Sequence, residues 1–252
     1  MIWSPIIWVT IPHMKAITAY QEVKQKITND LVSGRFFMGQ ALPAEKDLAK
    51  ELKVSIGTLR KAVDELVAEG IVIRRQGKGT YVAEHDEQRL LYYFFHVVRH
   101  DAEHKNYPKV ELVSFQSASA NQEEASKLTI KEGSSVWRIV NRLFLDQTCV
   151  LVDHITLSKM RFPKLSRAAF QNREGSIYQL YQAQYGQTVV RTSERLRAGA
   201  ASKQHAEWLN LKVGAPVITI RRIALGIQDE PIEWRISTLN TEHYEYFSEL
   251  GI

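Results

Sequence analysis

Short hydroxyl side chains and cations gather in one short part of the chain. Ser55 and Thr58 carry hydroxyls, and Arg60 and Lys61 carry positive charges. From Lys53 to Lys61 there are three cations and no acidic residue. Hydroxyls and cations are the groups that hydrogen-bond base edges and neutralise phosphates. These residue types therefore indicate contact with a nucleic acid.

A second group of cations lies in a stretch that contains glycine. Arg74 and Arg75 come first, and Lys78 follows between Gly77 and Gly79. No acidic residue interrupts this stretch. Glycines at the tip of a loop allow its backbone to approach a phosphate closely. The stretch therefore predicts a loop that contacts phosphates.

The first group must be positioned by a helix. Ser55 can accept hydrogen bonds from the amides of a first helical turn, so we expect a helix to begin after it. Apolar residues then recur at helical spacing and predict one buried face, which is Ile56, Leu59, Ala62, Val63 and Leu66. Gly70 can supply the left-handed residue at which such a helix ends.

A shorter helix is predicted directly before this one. Pro43 suits the first helical position, and Glu45 and Asp47 would then lie near the positive end of the helix dipole. Leu48 and Leu52 supply its buried side. Two consecutive short helices of this kind are typical of a helix-turn-helix.

The second group of cations is predicted to lie on a hairpin. Residues 71–74 and 80–82 have the composition of two strands, and residues 75–79 join them. A helix pair followed by a basic, glycine-tipped hairpin predicts a winged helix-turn-helix that binds double-stranded DNA.

This part of the chain resembles the GntR family of bacterial transcriptional regulators. Three blocks carry the resemblance in order, LPAEKDLA at 42–49, VSIGTLRKA at 54–62 and QGKGTYV at 76–82. Lys46 stands where the family usually has arginine, and it should keep a phosphate contact but lose bidentate geometry. The predicted DNA-binding residues are Lys46, Ser55, Thr58, Arg60, Lys61, Arg74, Arg75, Gly77, Lys78 and Gly79.

The composition is that of an ordinary globular protein with room for two domains. The 252 residues are 44% hydrophobic and 24% charged, and the net charge of +5 weakly favours an anionic partner. The single cysteine, Cys149, excludes an intrachain disulfide and a zinc site built on several thiolates. No apolar run approaches the roughly 18 residues of a membrane span. We therefore expect a cytoplasmic protein without a membrane partner.

The chain divides into four predicted parts. They are a tail at 1–14, a winged helix-turn-helix domain at 15–84, a charged linker at 85–89 and a second domain at 90–252. The apolar tail has no cationic start and does not resemble a secretory signal. Translation could begin at Met14 instead of Met1, since Met14 directly precedes the first helical pattern.

The second domain alternates predicted strands and helices. Strands are predicted at 90–98, 110–117, 136–145, 149–157, 187–198, 217–226 and 231–239, and helices at 121–128, 176–185 and 202–209. The order resembles the UTRA domain of the HutC branch of GntR regulators, which shares its fold with chorismate lyase. The blocks VWRIVNRL at 136–143, GSIYQL at 175–180 and LNLKVGAPV at 209–217 carry it. The resemblance implies an α+β domain, with a mainly antiparallel sheet and flanking helices, that binds an effector and dimerises.

A small anion could bind where the helix at 176–185 begins. The free amides of a helix start attract anions, and Arg142 lies on a strand that could face Ser176. The plainer alternative is that Ser176 only caps its helix and that Arg142 pairs with an acidic residue. The resemblance implies an effector site made of Arg142, Asp153, Ser176, Tyr178 and Glu233.

Two positions depart from the family's pattern at this site. Phe144 stands where a second arginine would be, and Leu239 stands where a ligand-contacting tyrosine can occur. A site with one arginine fewer holds less negative charge. We therefore expect a small organic acid as the effector and not a sugar phosphate.

Three histidines spaced four residues apart are candidate metal ligands. His96, His100 and His104 would align on a helix, but this segment begins in a predicted strand. We therefore expect no metal site and no cofactor. The aromatic run at 92–95 is expected to form sheet core or a dimer interface.

The leading interpretation is a homodimeric, ligand-responsive repressor that leaves its operator when a small organic acid binds. One alternative is an enzyme similar to chorismate lyase, and another is a constitutive dimeric DNA-binding protein without an effector. No nucleophile–base pair, metal cluster or phosphate-binding loop emerges from the sequence, so no catalytic residue is predicted.

Overall fold

The computed structural model describes residues 18–37, 39–83, 94–102 and 104–248. The predicted tail at 1–14, with Met14, and the predicted linker at 85–89 lie outside the described residues, as do Tyr92 and Tyr93. The helices are α1 (Ala19–Val32), α2 (Glu45–Glu51), α3 (Ile56–Ala68), α4 (Gln122–Leu128), α5 (Arg167–Gln171), α6 (Ile177–Tyr185) and α7 (Lys203–Leu209). The strands are β1 (Val72–Arg75), β2 (Gly79–Val82), β3 (Val97–Arg99), β4 (Lys109–Ser119), β5 (Ser135–Leu145), β6 (Thr148–Ser158), β7 (Arg191–Ala200), β8 (Pro216–Leu225), β9 (Pro231–Asn240) and β10 (Tyr244–Tyr246).

Three helices and a hairpin form the N-terminal unit. Val23 and Ile27 of α1 are buried in one apolar cluster with the inner face of α3, which is Leu59, Ala62, Val63 and Leu66. β1 and β2 pair antiparallel, from Val72 opposite Val82 to Arg75 opposite Gly79. This is the predicted winged helix-turn-helix.

Both predicted ends of α3 are confirmed. The hydroxyl of Ser55 accepts a hydrogen bond from the N–H of Thr58 at 3.1 Å. Gly70 has a φ of 68°, and the N–H of Ile71 donates to the carbonyl of Leu66 at 2.9 Å. A left-handed residue at this point allows the last carbonyls of a helix to find donors.

α2 begins later than predicted. Pro43 precedes the helix, and Ala44 is still extended, with a ψ of 140°. The N–H of Leu42 donates to the carbonyl of Thr80 on β2 at 2.8 Å. Pairing with the hairpin therefore holds the chain extended past Pro43, and the helix starts at Glu45.

A six-stranded antiparallel sheet forms the centre of the C-terminal unit. The strand order is β4-β5-β6-β9-β8-β7, and β3 pairs with β10 in a separate small ribbon. Residues 90–93 of the predicted strand at 90–98 lie outside the described residues, and the described remainder contains the strand Val97–Arg99. The helix α5 is an element that the sequence does not predict. The predicted α+β class, with a mainly antiparallel sheet and flanking helices, is confirmed.

The two faces of this sheet are covered by different helices. Ile139 and Ile155 belong to an apolar cluster with Tyr178 and Tyr181 of α6. Val152, on the opposite face, belongs to a second cluster with α7. Successive residues of a strand point to opposite faces. The position of a residue in β5 or β6 therefore decides which helix it meets.

The two units touch each other through the residue before β7 and through the turn between β8 and β9. Val190 and Ile227 pack on the apolar cluster of the N-terminal unit. The side-chain amide of Gln228 donates to Asn29 Oδ1 on α1 at 3.0 Å. A path of direct contact therefore runs from the sheet to the helix that supports α3.

Candidate nucleic-acid interface and ligand cavity

The start of α3 is held by its own hydroxyl groups. Ser55 caps the helix, and its Oγ lies 2.9 Å from Thr58 Oγ1. Ser55 is exposed and Thr58 is half-buried. Their hydroxyls therefore stabilise the helix start while standing at the surface.

Cations from α3 and from the hairpin converge on one acidic residue. Arg60 Nε donates to Glu45 Oε2 at 2.6 Å, and Arg74 Nη2 lies 3.8 Å from Glu45 Oε1. Arg74 also pairs with Asp64 at 2.5 Å. Because both arginines lie near Glu45, the positive charges of α3 and of the hairpin are side by side on one surface. Ion pairs this exposed contribute little to stability, so these guanidinium groups can exchange their partners for phosphates.

Two further cations lie over aromatic rings. Lys61 Nζ lies 4.0 Å from the centre of the Tyr20 ring, and the guanidinium of Arg75 lies 4.6 Å from the centre of the Tyr81 ring. Such contacts are attractive because the face of an aromatic ring is electronegative. They hold Lys61 toward α1 and Arg75 along β2.

The tip of the hairpin is open and depends on its glycines. Gly77 has a φ of 70° and Gly79 a φ of 113°, and no heavy atom lies within 4 Å of a Cβ built on either. Lys78 between them and Lys46 on α2 are exposed. The backbone at this tip can therefore approach a flat or convex partner closely, with a cation beside it.

The prediction that Ile56 belongs to the buried face of α3 is wrong. Ile56 is 41% exposed, whereas Leu59 is fully buried. It is the first residue of the helix, and it does not belong to the apolar cluster that Val54 and Leu59 contact on either side of it. The helical spacing of apolar residues does not show which of them the rest of the unit covers.

A small cavity lies in the C-terminal unit between the sheet and α6. Its volume is about 50 Å³, and its polar lining residues are Asn141, Asp153, Arg173, Tyr178, Arg222 and Arg235. Tyr107 and Val110 line both this cavity and an outer groove of about 740 Å³. The cavity is therefore close to the surface and polar on several sides.

Two carboxylates at this cavity, Asp153 in its lining and Glu233 beneath it, are hydrogen-bonded and ion-paired. Asp153 accepts hydrogen bonds from Arg235 at 3.0 Å and from Ser237 at 2.6 Å. Glu233 accepts from Arg235 at 2.8 Å and from Tyr181 at 2.7 Å. All of these residues are buried. Buried charges of this kind are tolerated because they are paired and hydrogen-bonded.

The pKa values of the surrounding groups reflect burial and these charges. Burial, helped by the Glu233 carboxylate, raises the pKa of Tyr178 to about 12. Burial opposes the charged form of Arg235, but Glu233 and Asp153 nevertheless raise its pKa well above the usual value. Burial lowers the pKa of Arg173. Tyr178 therefore stays a neutral donor, and Arg235 stays a cation.

Among the residues that line the cavity, Arg235 Nη2 makes no hydrogen bond to any described residue but lies 2.7 Å from Glu233 Oε1 as an ion pair. Two other polar atoms of the lining have no partner within the described part of the chain. They are Asn141 Oδ1, an acceptor, and Arg173 Nε, a donor. Buried polar groups in folded proteins are nearly always paired. A ligand that carries both an acceptor and a donor would satisfy these two atoms.

The five predicted effector residues are not all brought together. Asp153 and Tyr178 line the cavity, and Glu233 lies beneath it. Ser176 is buried, and its hydroxyl accepts from the N–H of Gln179 at 3.1 Å, which is the capping alternative.

The prediction that Arg142 faces Ser176 is wrong. Arg142 pairs with Glu111 at 2.7 Å and lies 5.3 Å from the centre of the Phe144 ring. Phe144 packs with the α7 cluster, on the face of the sheet away from α6. Arg142 therefore faces away from Ser176, because it is offset by one residue from Asn141, and an offset of one reverses the face.

Sequence reasoning missed four of the polar cavity residues, which are Asn141, Arg173, Arg222 and Arg235. Asn141 could have been found, because it lies directly opposite Asp153 in the β5–β6 hairpin. Arg222 and Arg235 are opposite each other on β8 and β9. β8 and β9 are joined by a short turn, but a register shift between Ala224 and Leu225 decides which of their residues lie opposite each other.

The candidate metal ligands and the cysteine do not form a site in the described part of the chain. His96 precedes β3, and His100 follows it in a turn, so these histidines do not share a helix. Within the described residues no group of three or more histidine, cysteine or acidic side chains is arranged to hold a metal. Burial raises the pKa of the Cys149 thiol to about 11, so it remains protonated and unreactive.

None of the helices in the described ranges has the length and apolar character needed to cross a membrane.

Family models match both units of the chain. Residues 19–82 match the model described as bacterial regulatory proteins of the gntR family, and residues 103–245 match the UTRA domain. The first match covers the helices and hairpin with the cationic surface. The second covers the sheet with the cavity.

Individual relatives span most of the chain. The Escherichia coli (strain K12) protein named "Probable fructoselysine utilization operon transcriptional repressor" is 29% identical over 213 residues, which are 84% of this chain and 86% of that protein. The Bacillus subtilis (strain 168) transcriptional repressor NagR is 23% identical over 206 residues, 82% of this chain and 84% of that protein.

A solved structure supports the same assignment for the C-terminal unit. The ligand-binding domain of a regulator assigned to the GntR family from Bordetella bronchiseptica superposes with a TM-score of 0.61 at 26% identity. The match covers 64% of this chain and 99% of that structure. With a winged helix-turn-helix bearing clustered cations and a sheet domain holding a polar cavity, the chain belongs to the GntR family of bacterial transcriptional regulators and carries a UTRA domain.

Proposed function

We propose that this regulator is a homodimeric repressor of the HutC branch, which binds a pseudo-palindromic operator and is released from it by a small organic acid. The observation that carries the DNA-binding part is the convergence of Arg60 from α3 and Arg74 from the hairpin on Glu45. Two groups of cations on one exposed surface suit a helix in the major groove and a wing beside it.

The roles on this surface divide by chemistry. Lys46, Arg74, Arg75 and Lys78 neutralise phosphates, with the backbone of Gly77 and Gly79 close to the strand. Ser55, Thr58, Arg60 and Lys61 stand on the helix that enters the groove. Phosphate contacts set affinity, and contacts to base edges set sequence preference. Two related proteins carry the name of repressor, which favours repression over activation.

The operator-binding part is tested with the purified protein and duplexes from the region upstream of its own gene. Fluorescence anisotropy at several salt concentrations should show binding that weakens steeply with salt, since each neutralised phosphate releases counterions. A dimer is expected to protect two half-sites about one helical turn apart. An affinity that does not change with salt concentration, or protection of a single half-site, would contradict the proposal.

The effector is proposed to enter the cavity between the sheet and α6. Arg173, Arg222 and Arg235 line it with Asp153, so cations outnumber acids in the lining. Arg222 and Arg235 are already paired, with Glu194 and with Glu233 and Asp153. Within the described part of the chain, Arg173 donates to the carbonyl of Phe170 at 2.5 Å, and its guanidinium lies 4.9 Å from the centre of the Phe170 ring. A small monocarboxylic acid with a hydroxyl or amide would match Arg173 and the free oxygen of Asn141.

Release from DNA is proposed to follow the contact between the two units. Arg222 lies on β8, and the turn after β8 carries Ile227 and Gln228, which contact the N-terminal unit. A ligand that shifts β8 would change the contact between this turn and α1. Coupling of this kind requires that the ligand prefer one of the two arrangements.

The effector part has its own test. A thermal-shift screen with small organic acids identifies a ligand, and calorimetry and operator release follow with that ligand. Arg173→Met should abolish its binding, whereas Arg142→Met, which removes a cation from the opposite face, should retain it. Tight binding of a sugar phosphate would overturn the proposed ligand class. Operator binding that no small acid alters would favour a constitutive DNA-binding protein.

A further inference from the structure

The outer surface of the first turn of α3 is apolar. Ile56 is the first residue of the helix and is 41% exposed, and Gly57 beside it is exposed as well. The two hydroxyls nearby, of Ser55 and Thr58, are hydrogen-bonded to each other at 2.9 Å. The most prominent group at this helix start is therefore a branched alkyl side chain.

Packing of the N-terminal unit does not account for Ile56. Val54, just before the helix, packs against the apolar cluster, and Leu59 is fully buried within it. These two residues anchor the start of the helix from inside. Ile56 stands outside this arrangement, and an alkyl group left in water gains nothing from the hydrophobic effect.

Neighbouring cations are turned away from the first turn. Arg60 is bound to Glu45 at 2.6 Å, and Lys61 lies over the Tyr20 ring of α1. Gly57 has no side chain to hold the helix backbone away from a partner, and a Cβ built there meets only Ser55 Oγ at 3.8 Å. The first turn can therefore approach a partner closely with Ile56 in front.

We propose that Ile56 contacts the C5-methyl group of a thymine in each operator half-site and thereby selects an A·T pair at that position. The thymine methyl is the apolar group among the base edges of the major groove. A helix-turn-helix places the N-terminal residues of its second helix against those edges. This inference rests on the proposed DNA-binding function and adds to it the base that the first turn reads.

The test removes one methyl group from the DNA and one alkyl group from the protein. An operator is first selected from random duplexes with the full-length protein. Each thymine of both half-sites is then replaced symmetrically by deoxyuridine, which lacks only the methyl. At one position the wild-type protein should lose about fourfold in affinity per half-site, as expected for one methyl-sized apolar contact. Ile56→Ala should bind the thymine operator more weakly and show no further loss with deoxyuridine there.

Two controls separate the possible failures. Val213→Ala removes an exposed alkyl group from the C-terminal unit, where Val213 is 68% exposed, and should keep the full deoxyuridine effect. Circular dichroism and thermal unfolding should show that Ile56→Ala is folded. If wild type and Ile56→Ala respond equally to every deoxyuridine, or neither responds, the inference fails while operator binding stands. If no duplex is enriched, the proposed function fails and the inference fails with it.

Discussion

The cationic surface of the N-terminal unit and the cavity of the C-terminal unit differ in how their residues are brought together. Every residue proposed for DNA contact lies between Lys46 and Gly79, on two consecutive helices and one hairpin. The polar residues of the cavity extend from Asn141 to Arg235 and come from separate strands and a helix. The first site is local in sequence and exposed. The second is assembled from distant segments and is buried.

Exposure changes what the same residue types do. Arg60 and Glu45 form an exposed pair that can open toward a phosphate. Arg235, Asp153 and Glu233 form a buried triad that cannot open without leaving charges in a low dielectric. Charged residues on the outer surface are therefore available for binding, whereas those beneath the cavity primarily hold the domain in one arrangement.

The largest effect is expected from breaking the buried triad. Arg235→Ala leaves Asp153 and Glu233 buried without their cation, which should lower the free energy of unfolding by about 3–5 kcal/mol. Urea denaturation measures the change. Arg60→Ala is the matched change on the exposed surface and should leave the unfolding curve in place. Equal losses of stability for the two variants would contradict the proposed difference between the buried and the exposed ion pairs.

The next effect concerns affinity for the operator. Lys78→Ala at the open hairpin tip should weaken binding to all operator sequences alike and reduce the salt slope by about two for the two copies in a dimer. Anisotropy titrations over a range of salt concentrations measure the slope. Lys212→Ala removes an exposed lysine from the C-terminal unit and should leave the slope unchanged. A sequence-selective loss would assign Lys78 to base reading instead.

A smaller effect separates helix capping from ligand binding. Ser176→Ala removes the cap of α6 and should lower the free energy of unfolding by about 1 kcal/mol. Because its hydroxyl is engaged with Gln179, binding of the identified small acid should persist. Calorimetry and urea denaturation measure the two quantities. Unchanged stability with lost ligand binding would instead place the Ser176 hydroxyl in the effector site.

The smallest effect is a dependence of stability on pH. Burial lowers the pKa of both His154 on β6 and His205 on α7, whose Nε2 atoms lie 3.3 Å apart. A histidine whose pKa is lowered by folding binds protons more readily when unfolded, so stability is complete above its unfolded pKa, near 6.5, and declines as the pH falls toward the folded value. Urea midpoints between pH 7.5 and 5 measure this. His205→Gln should flatten the decline, and an unaltered decline would assign it to other groups.

The winged helix-turn-helix was largely predictable because its signals are local. Ser55 and Gly70 mark the ends of one helix, and the glycines at the hairpin tip mark the turn between two strands. Each of these effects acts within a few residues. The two errors, at Pro43 and Ile56, occur where a neighbouring element decides the outcome. β2 holds Leu42 extended, and the apolar cluster that takes up Val54 and Leu59 leaves Ile56 uncovered.

The cavity was predictable only in part because its register is not local. Asp153 and Tyr178 were identified from the family resemblance, and the structure places both at the cavity. Arg142 was placed on the wrong face, since one residue of offset in β5 exchanges its two sides. Arg235 reaches Asp153 through the pairing of β6 with β9, two strands that are far apart in the sequence. Arg222 and Arg235 both remain cationic while buried because acidic partners lie beside them.

The amino-acid sequence by itself determined the order of most helices and strands and the ends of the helix α3. It also indicated a basic winged helix-turn-helix followed by a sheet domain. These depend on backbone preferences and apolar spacing within short segments. Only the tertiary structure decided which side of the sheet each polar residue faces, which cations are paired and which apolar side chain stays in solvent. Those outcomes depend on strand register and on burial, which arise only when distant segments pack together.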